Sequence, residues 1–235
     1  MLTIKSGAHI LCHTGVVTSR RAENRAAVLA QIRDAARVEL AATGPADLSL
    51  RAIARELGMV SSGIYRYVAS RDELLTMLVT SGYSDLADAV EIAVAGKGDA
   101  PTRWLRGCRA VRTFALERPH EYALLYGTPV ADYAAPPDTI APATRVYAAL
   151  ASPLSGDAAV APLAVPRVLG PDAAAIVAGL PLATDPATAL RFLGALGQLF
   201  GLISFDLFGH INGVITDRDA FFDWSVKALG RDLGL

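Results

Sequence analysis

Arg51, Arg66 and Arg71, with Ser49, Ser61, Ser62, Gly63, Tyr65 and Tyr67, fall within one stretch, Ser49 to Glu73, that reads SLRAIARELGMVSSGIYRYVASRDE. A guanidinium can give paired hydrogen bonds to a base edge or a phosphate, hydroxyls can donate to either, and small residues permit close approach to a groove floor. Other candidate chemistry is sparse. Asp206 and His210 are an i, i+4 pair that could ligate a metal, but no third ligand lies nearby in sequence, and no metal is expected. There is no Gly-rich phosphate loop, Ser/His/Asp signature or paired-carboxylate motif, so no catalytic residue and no cofactor are expected. Cys12 and Cys108 give neither a disulfide framework nor zinc spacing, which points to a reducing cytoplasm.

The elements that must position the basic and hydroxyl groups are legible locally. Ser49 can cap a helix whose buried face is Leu50, Ile53, Ala54 and Leu57. Gly58 supplies the left-handed turn. A second short helix is expected from Ser61 to about Tyr67, with Ile64 and Val68 inward and Ser62, Gly63, Arg66 and Tyr67 outward. Ser70-Arg71-Asp72-Glu73 is a capping box that starts a third helix, with Arg71 placed at its first turn as the leading phosphate contact.

This stretch resembles the DNA-binding domain of TetR/AcrR family transcriptional regulators. The matching runs are Leu48-Ser49-Leu50-Arg51-Ala52-Ile53-Ala54, Leu57-Gly58-Met59, Ser61-Ser62-Gly63-Ile64-Tyr65-Arg66-Tyr67-Val68 and Ser70-Arg71-Asp72-Glu73-Leu74-Leu75. The resemblance implies base contacts from Arg51, Ser61, Ser62, Gly63 and Arg66, and phosphate contacts from Ser49, Tyr65, Tyr67 and Arg71. Tyr67 stands where His is common and Met59 where Val is common. The competing reading of the same residues is a compact helical core with Arg51, Arg66 and Arg71 as a solvated rim.

The 235 residues, 52% hydrophobic, suffice for a small domain and a larger one. Net charge is −1, which argues against a protein that coats nucleic acid indiscriminately. Residues 1–75 carry 10 Lys or Arg against 7 Asp or Glu, a net +3, while residues 76–235 carry 12 against 16, a net −4. The basic side is thus the side of the helix-turn-helix pattern. Ala8 to Val17 is too interrupted for a signal h-region, and Phe192 to Phe205 is too short an uncharged run for a membrane span.

The expected organisation is all-α: an N-terminal three-helix helix-turn-helix DNA-binding domain and a C-terminal helical ligand-binding and dimerisation domain. The boundaries are a loose tail at 1–20, the reader at 21–70, a connecting helix at 71–96 and the body at 97–235. Translation is expected to start at Val16 or Val17, the alternative being an arm that carries Lys5, Arg20 and Arg21 to the DNA backbone. A first helix is read from Glu23 to Ala42, a long rod from Ser70 to Gly96, and a helix from Trp104 whose face is Trp104, Cys108, Val111 and Ala115. Residues 131–142 and 152–171 read as loop, 143–150 as a short helix, and Asp185 to about His210 as a helix apolar nearly all round. A last helix is expected with Thr216 and Asp219 as caps and Phe221, Trp224, Ser225, Ala228 and Leu229 on one face. Trp104, the segment Glu117 to Pro129 and Gly209-His210 resemble the WHG-type C-terminal domain of a TetR subgroup, which implies a ligand-binding body without naming a ligand.

The reading that follows is a homodimeric repressor of a palindromic double-stranded DNA operator, released by a small apolar or amphipathic effector, with no membrane partner. Candidate pocket residues are Trp104, Arg112, Tyr122, Tyr126, Tyr147 and Phe200. Two alternatives stand beside it: a ligand-independent dimeric regulator acting through a protein partner, and an enzyme on a helical fold.

Overall fold

Five helices open on a side chain that accepts from their own first turn, which is why the chain breaks where it does. Ser49 accepts from Ala52 N, Ser70 from Glu73 N, Asp99 from Thr102 N, Asp185 from Ala187 N and Thr188 N, and Asp217 from Ala220 N. The computed structural model describes residues 20–154, 163–179 and 185–235. Among them are ten α-helices and no strand: α1 Arg20–Thr43, α2 Leu50–Glu56, α3 Ser61–Ile64, α4 Arg71–Ala95, α5 Ala100–Glu117, α6 Pro119–Tyr126, α7 Ile140–Ala151, α8 Gly170–Gly179, α9 Pro186–Leu207 and α10 Arg218–Asp232. Residues 1–19 of the expected tail, with the expected translation start, lie outside the described residues; Arg20, assigned to the tail, instead opens α1, which begins three residues before the expected Glu23.

Two apolar cores form, and α4 belongs to both. The first joins Ile32, Ala36 and Leu40 of α1 to Ile53, Ala54, Ile64, Val68 and the α4 residues Leu74, Leu75 and Leu78. The second gathers Leu86, Val90 and Val94 of α4 with Trp104, Cys108 and Val111 of α5, and extends to Phe192, Leu199 and Ile203 of α9 and Phe222 and Val226 of α10. At 1.5 Å per residue α4 is a rod of roughly 37 Å that carries one core into the other. Close approach of α5 to α4 is bought by Gly107, where a Cβ would meet Val94 Cγ1 at 2.9 Å.

Several expectations are corrected. The second helix of the reader stops at Ile64, and Tyr65 to Tyr67 continue as a turn in which Arg66 N and Tyr67 N bond Gly63 O and Ile64 O. Gly63 is buried rather than outward, since a Cβ there would crowd Val60 Cγ2 at 3.3 Å. Residues 131–142 are not all loop: Pro137–Thr139 is a 3₁₀ turn that leads directly into α7. In the expected 152–171 loop, Arg167–Leu169 is another 3₁₀ turn, and α8 begins at Gly170; residues 155–162 lie outside the described residues. The cap of α10 is Asp217 instead of Thr216 and Asp219, and its buried face is Phe222, Val226 and Leu229. Helix α9 is long and apolar enough to cross a membrane by length and composition. Its inner residues Phe192, Leu196, Leu199 and Ile203 nevertheless pack within the second core, as an interior helix requires.

Candidate nucleic-acid interface

The turn between α2 and α3 is built on Gly58 at φ +64, the left-handed geometry that lets α3 lie across α2. Leu57 N closes α2 onto Ile53 O, and Met59 N reaches back to Ala54 O at 2.8 Å. Ile64 and Val68 are fully buried below, and Tyr65 and Arg66 between them face out. Arg51, Ser61, Ser62, Tyr65 and Arg66 are all exposed on this surface, with Val60 beside them at 73% exposure. That set combines guanidinium and hydroxyl donors with one apolar side chain able to meet a thymine methyl.

Three nominated residues are engaged inside the protein. Ser49 caps α2. Tyr67 is half-buried, with the Arg25 guanidinium 5.3 Å over its ring, and Arg25 Nη1 also donates to Arg66 O at 3.1 Å. Arg71 turns inward: its Nη2 donates to Pro45 O at 2.7 Å and its Nε is buried with no hydrogen-bond partner among the described residues. It ties the α1–α2 connection to the start of α4. The N-terminal N–H groups there are also claimed locally, Glu73 N by Ser70 Oγ at 3.1 Å and Ala69 N by Glu73 Oε2 at 2.6 Å.

Sequence reasoning missed two residues that flank this surface, Asn24 and Arg25. Arg20, Arg21, Asn24 and Arg25 of α1 line a cleft of about 610 Å³ with Arg66 and Tyr67. The spacing i, i+1, i+4, i+5 places the four on one side of α1, and that periodicity is the signal that could have found Asn24 and Arg25. The cleft puts several guanidinium groups beside the α3 surface, a charge arrangement that suits a phosphate backbone.

The candidate pocket residues separate into two groups. Trp104 is a core residue whose Nε1 donates to Val226 O at 2.8 Å. The Tyr122 hydroxyl donates to Phe200 O at 3.1 Å and shares a hydrogen bond with Ser204 Oγ at 3.0 Å. Arg112 is paired with Asp206 at 2.9 Å and Asp219 at 2.6 Å. Asp206 also accepts from Arg218 at 3.3 Å, while His210 packs on the Phe205 ring, so the two members of the i, i+4 pair face different neighbours. Among the described residues no group of three His, Cys, Asp or Glu is placed to hold a metal. Tyr126, Tyr147 and Phe200, by contrast, gather about two cavities. Tyr147 lines both, Phe200 lines one, and the Tyr126 ring stacks on Phe200 at 4.1 Å.

Comparison with known proteins assigns the class that this geometry defines. Residues 32–78 match the family described as bacterial regulatory proteins, tetR family, and residues 104–229 match the tetracyclin repressor-like C-terminal domain. The HTH-type transcriptional regulator Rv1816 of Mycobacterium tuberculosis is 38% identical over 230 residues, covering 93% of this chain and 97% of the relative. The HTH-type transcriptional regulator Mb1846 of Mycobacterium bovis is similar to the same extent. Among solved structures, the regulatory protein SCO4313 aligns with a TM-score of 0.74 at 32% identity, over 90% of this chain and 98% of that one. A tetR-family regulatory protein from Rhodococcus RHA1 shares the fold, with a TM-score of 0.55 at 19% identity over 87% of this chain and 96% of that one. The chain belongs to the tetR family of bacterial regulatory proteins: it is a DNA-binding transcriptional regulator and not an enzyme.

Proposed function

We propose that this regulator is a cytoplasmic homodimeric repressor that holds a palindromic operator through two α3 surfaces and leaves it when a small molecule enters the body. In this division residues 21–70 read DNA, 71–96 connect, and 97–235 sense and dimerise. Arg51, Ser61, Ser62, Tyr65 and Arg66 read bases or the adjoining backbone. Ser49, Gly63, Tyr67 and Arg71 hold the reading surface in shape, with any phosphate contact secondary to that.

One observation carries the coupling. Leu124, Val130 and Tyr133 pack against the reader core, and the same three side chains line a cavity of the body between α4, the segment after α6 and the start of α7. Tyr133 Oη lies 3.1 Å from Thr76 Oγ1 on α4, fixing this strap to the rod that leaves the reader. A molecule in the cavity therefore acts on side chains that position the DNA-binding head, and its differential affinity for the two arrangements sets the shift.

The test is operator capture. The protein is incubated with sheared genomic DNA at physiological salt, and the retained fragments are sequenced beside those retained by Arg66→Ala. Enrichment of a few imperfect palindromes, lost in the variant, is the expected result. Retention with no sequence preference would sink the operator reading. Palindromes retained equally in the presence of every effector tried would leave a ligand-independent regulator.

A further inference from the structure

Tyr147 on α7, with Thr144 one turn earlier, lines both cavities of the body, so its phenol is the partition between them. The first cavity, about 430 Å³, lies between α4, the strap after α6 and the start of α7, with Val79, Tyr83, Leu125 and Ile140 in its walls. The second, also about 430 Å³, lies between α7, α8 and α9, against Ile176, Phe192, Leu196 and Phe200. Each is of the size, about 300–1,000 Å³, that small-molecule sites have.

The chemistry of the walls narrows the occupant. No Arg, Lys, His, Asp or Glu among the described residues lines either cavity. A carboxylate or ammonium entering would shed its hydration with no opposing charge to replace it. Beyond Thr144 and Tyr147 at the partition, no side chain among the described residues lining the second cavity can hydrogen-bond.

In the first cavity Tyr133 and Thr139 are already bonded, to Thr76 Oγ1 and Pro136 O, and a group of phenols stands beside the partition. The Tyr126 ring stands edge-on to Tyr83 at 5.7 Å, and the Tyr147 ring edge-on to Phe200 at 6.3 Å, so three phenols converge from α4, α6 and α7. The Tyr83 hydroxyl donates to Leu125 O at 3.2 Å. The Tyr126 hydroxyl is buried with no hydrogen-bond partner among the described residues. Burial, then the neighbouring Tyr147 hydroxyl, pushes Tyr83 up to about 12; burial first, then Tyr147 and Tyr83, push Tyr126 well above the ordinary phenol value; burial also raises Tyr147. All three are O–H donors throughout the physiological range, and one of them lacks an acceptor. A buried donor without an acceptor is destabilising, and a ligand oxygen that holds the Tyr147 hydroxyl as a donor leaves Tyr147 Oη to accept from Tyr126 and relieve it.

We infer that the body takes an uncharged, two-part molecule: a carbonyl or ether oxygen held at the Tyr83–Tyr126–Tyr147 cluster, and an apolar arm filling the cleft between α7, α8 and α9. Tyr147 donates to the ligand oxygen while its own oxygen accepts from Tyr126, a chain in which each hydrogen bond strengthens the next. Tyr126 is a positioning residue in this arrangement and Tyr147 the one that touches the ligand. The inference rests on the ligand-responsive reading above and adds the ligand's chemical class.

The test uses three probes of matched ten-carbon length: 2-decanone, decanoate and decyltrimethylammonium, each titrated into the full-length protein by calorimetry. The expected result is one saturable 2-decanone site per chain, at least about tenfold tighter than either charged probe. Tyr147→Phe weakens the ketone about 3- to 10-fold, the worth of one neutral hydrogen bond, and leaves the circular dichroism spectrum unchanged. Tyr126→Phe weakens it by a smaller factor, and Leu196→Trp, which fills the arm cleft, removes binding. Equal or tighter binding of decanoate or decyltrimethylammonium overturns the inference, the latter by showing an aromatic cation cage instead. So does a Tyr147→Phe affinity equal to the parent, or no saturable binding of any probe by protein that still retains operator DNA. A ketone that binds as expected but leaves operator retention unchanged confirms the cavity chemistry and removes the ligand-responsive reading alone.

Discussion

Arg37 of α1 and Glu121 of α6 meet as a hydrogen-bonded ion pair, Nε to Oε2 at 3.1 Å, across the junction of reader and body. The same guanidinium donates to Asp85 of α4 at 2.6 Å, and Asp85 accepts a second time from Arg118 at 2.8 Å. Glu121 is a buried carboxylate whose partner comes from 84 residues away. Removing one member of such a pair leaves the other desolvated and uncompensated. A double-mutant cycle of Arg37→Ala and Glu121→Ala, read by urea unfolding, should give a coupling of about 0.5–3 kcal/mol. A coupling near zero would mean that the junction is held by its apolar contacts alone.

Gly58 offers a separable test of the reader turn. At φ +64 an added Cβ meets no atom within 4 Å, so the cost of substitution is conformational and not steric crowding by neighbours. Gly58→Ala should destabilise by about 1–2 kcal/mol, and Gly58→Asn by less, because Asn tolerates the left-handed region better. Equal stability of the alanine variant and the parent would show that the turn relaxes to another geometry. Operator affinity measured on both would then tell whether α3 keeps its seat.

How much of this was readable in the chain follows the range of the interactions. The caps at Ser49, Ser70 and Asp185 and the left-handed Gly58 are settled within four residues, and the sequence displays them directly. The inward turn of Arg71 depends on Pro45 O, 26 residues earlier, and the capture of Arg112 on Asp206 spans 94 residues. No local pattern encodes either partner. Helix α8 was missed because GPDAAAIVAG has little contrast between faces for periodicity to reveal. Of the tyrosine cluster the sequence suggested Tyr126 and Tyr147 but not Tyr83, since the three come from three helices that only the second core brings together.

Asp223 makes the stability of the body depend on pH in a stated direction. Its carboxyl lies below the usual carboxylate range, first through the hydrogen bond from Arg109, with burial opposing and the Arg109 charge assisting. A carboxylate depressed on folding contributes stability that is present above its unfolded value, about 3.9, and is lost as pH falls through its folded value. The melting temperature of the parent should therefore exceed that of Asp223→Asn at pH 7, and the gap should narrow as the pH is lowered from 4 towards 2. A gap independent of pH would place the contribution of Asp223 in packing instead of charge.

The face of α9 turned from the core is the surface on which the proposed dimer depends. Among the described residues no atom lies within 4 Å of a Cβ position at Gly194, Gly197 or Gly201, and these recur at helical spacing with Leu193, 54% exposed, and Phe205, 56% exposed. On α10, Trp224 stands 65% exposed while Phe222 and Val226 are buried behind it. Small residues let a second α9 approach closely, and the aromatic residues lose water on contact, which is how four helices pair about a two-fold. Gly194→Arg, which adds bulk and charge without touching this chain's own core, should convert the dimer to monomer in sedimentation velocity, and Trp224→Asp should do so independently. Both variants should then hold single half-sites far more weakly than the parent holds its palindrome, because two linked readers gain from effective concentration what one cannot. If both remain dimeric at micromolar concentration, the two-fold lies on another face, and the spacing of the α3 surfaces must be set from there.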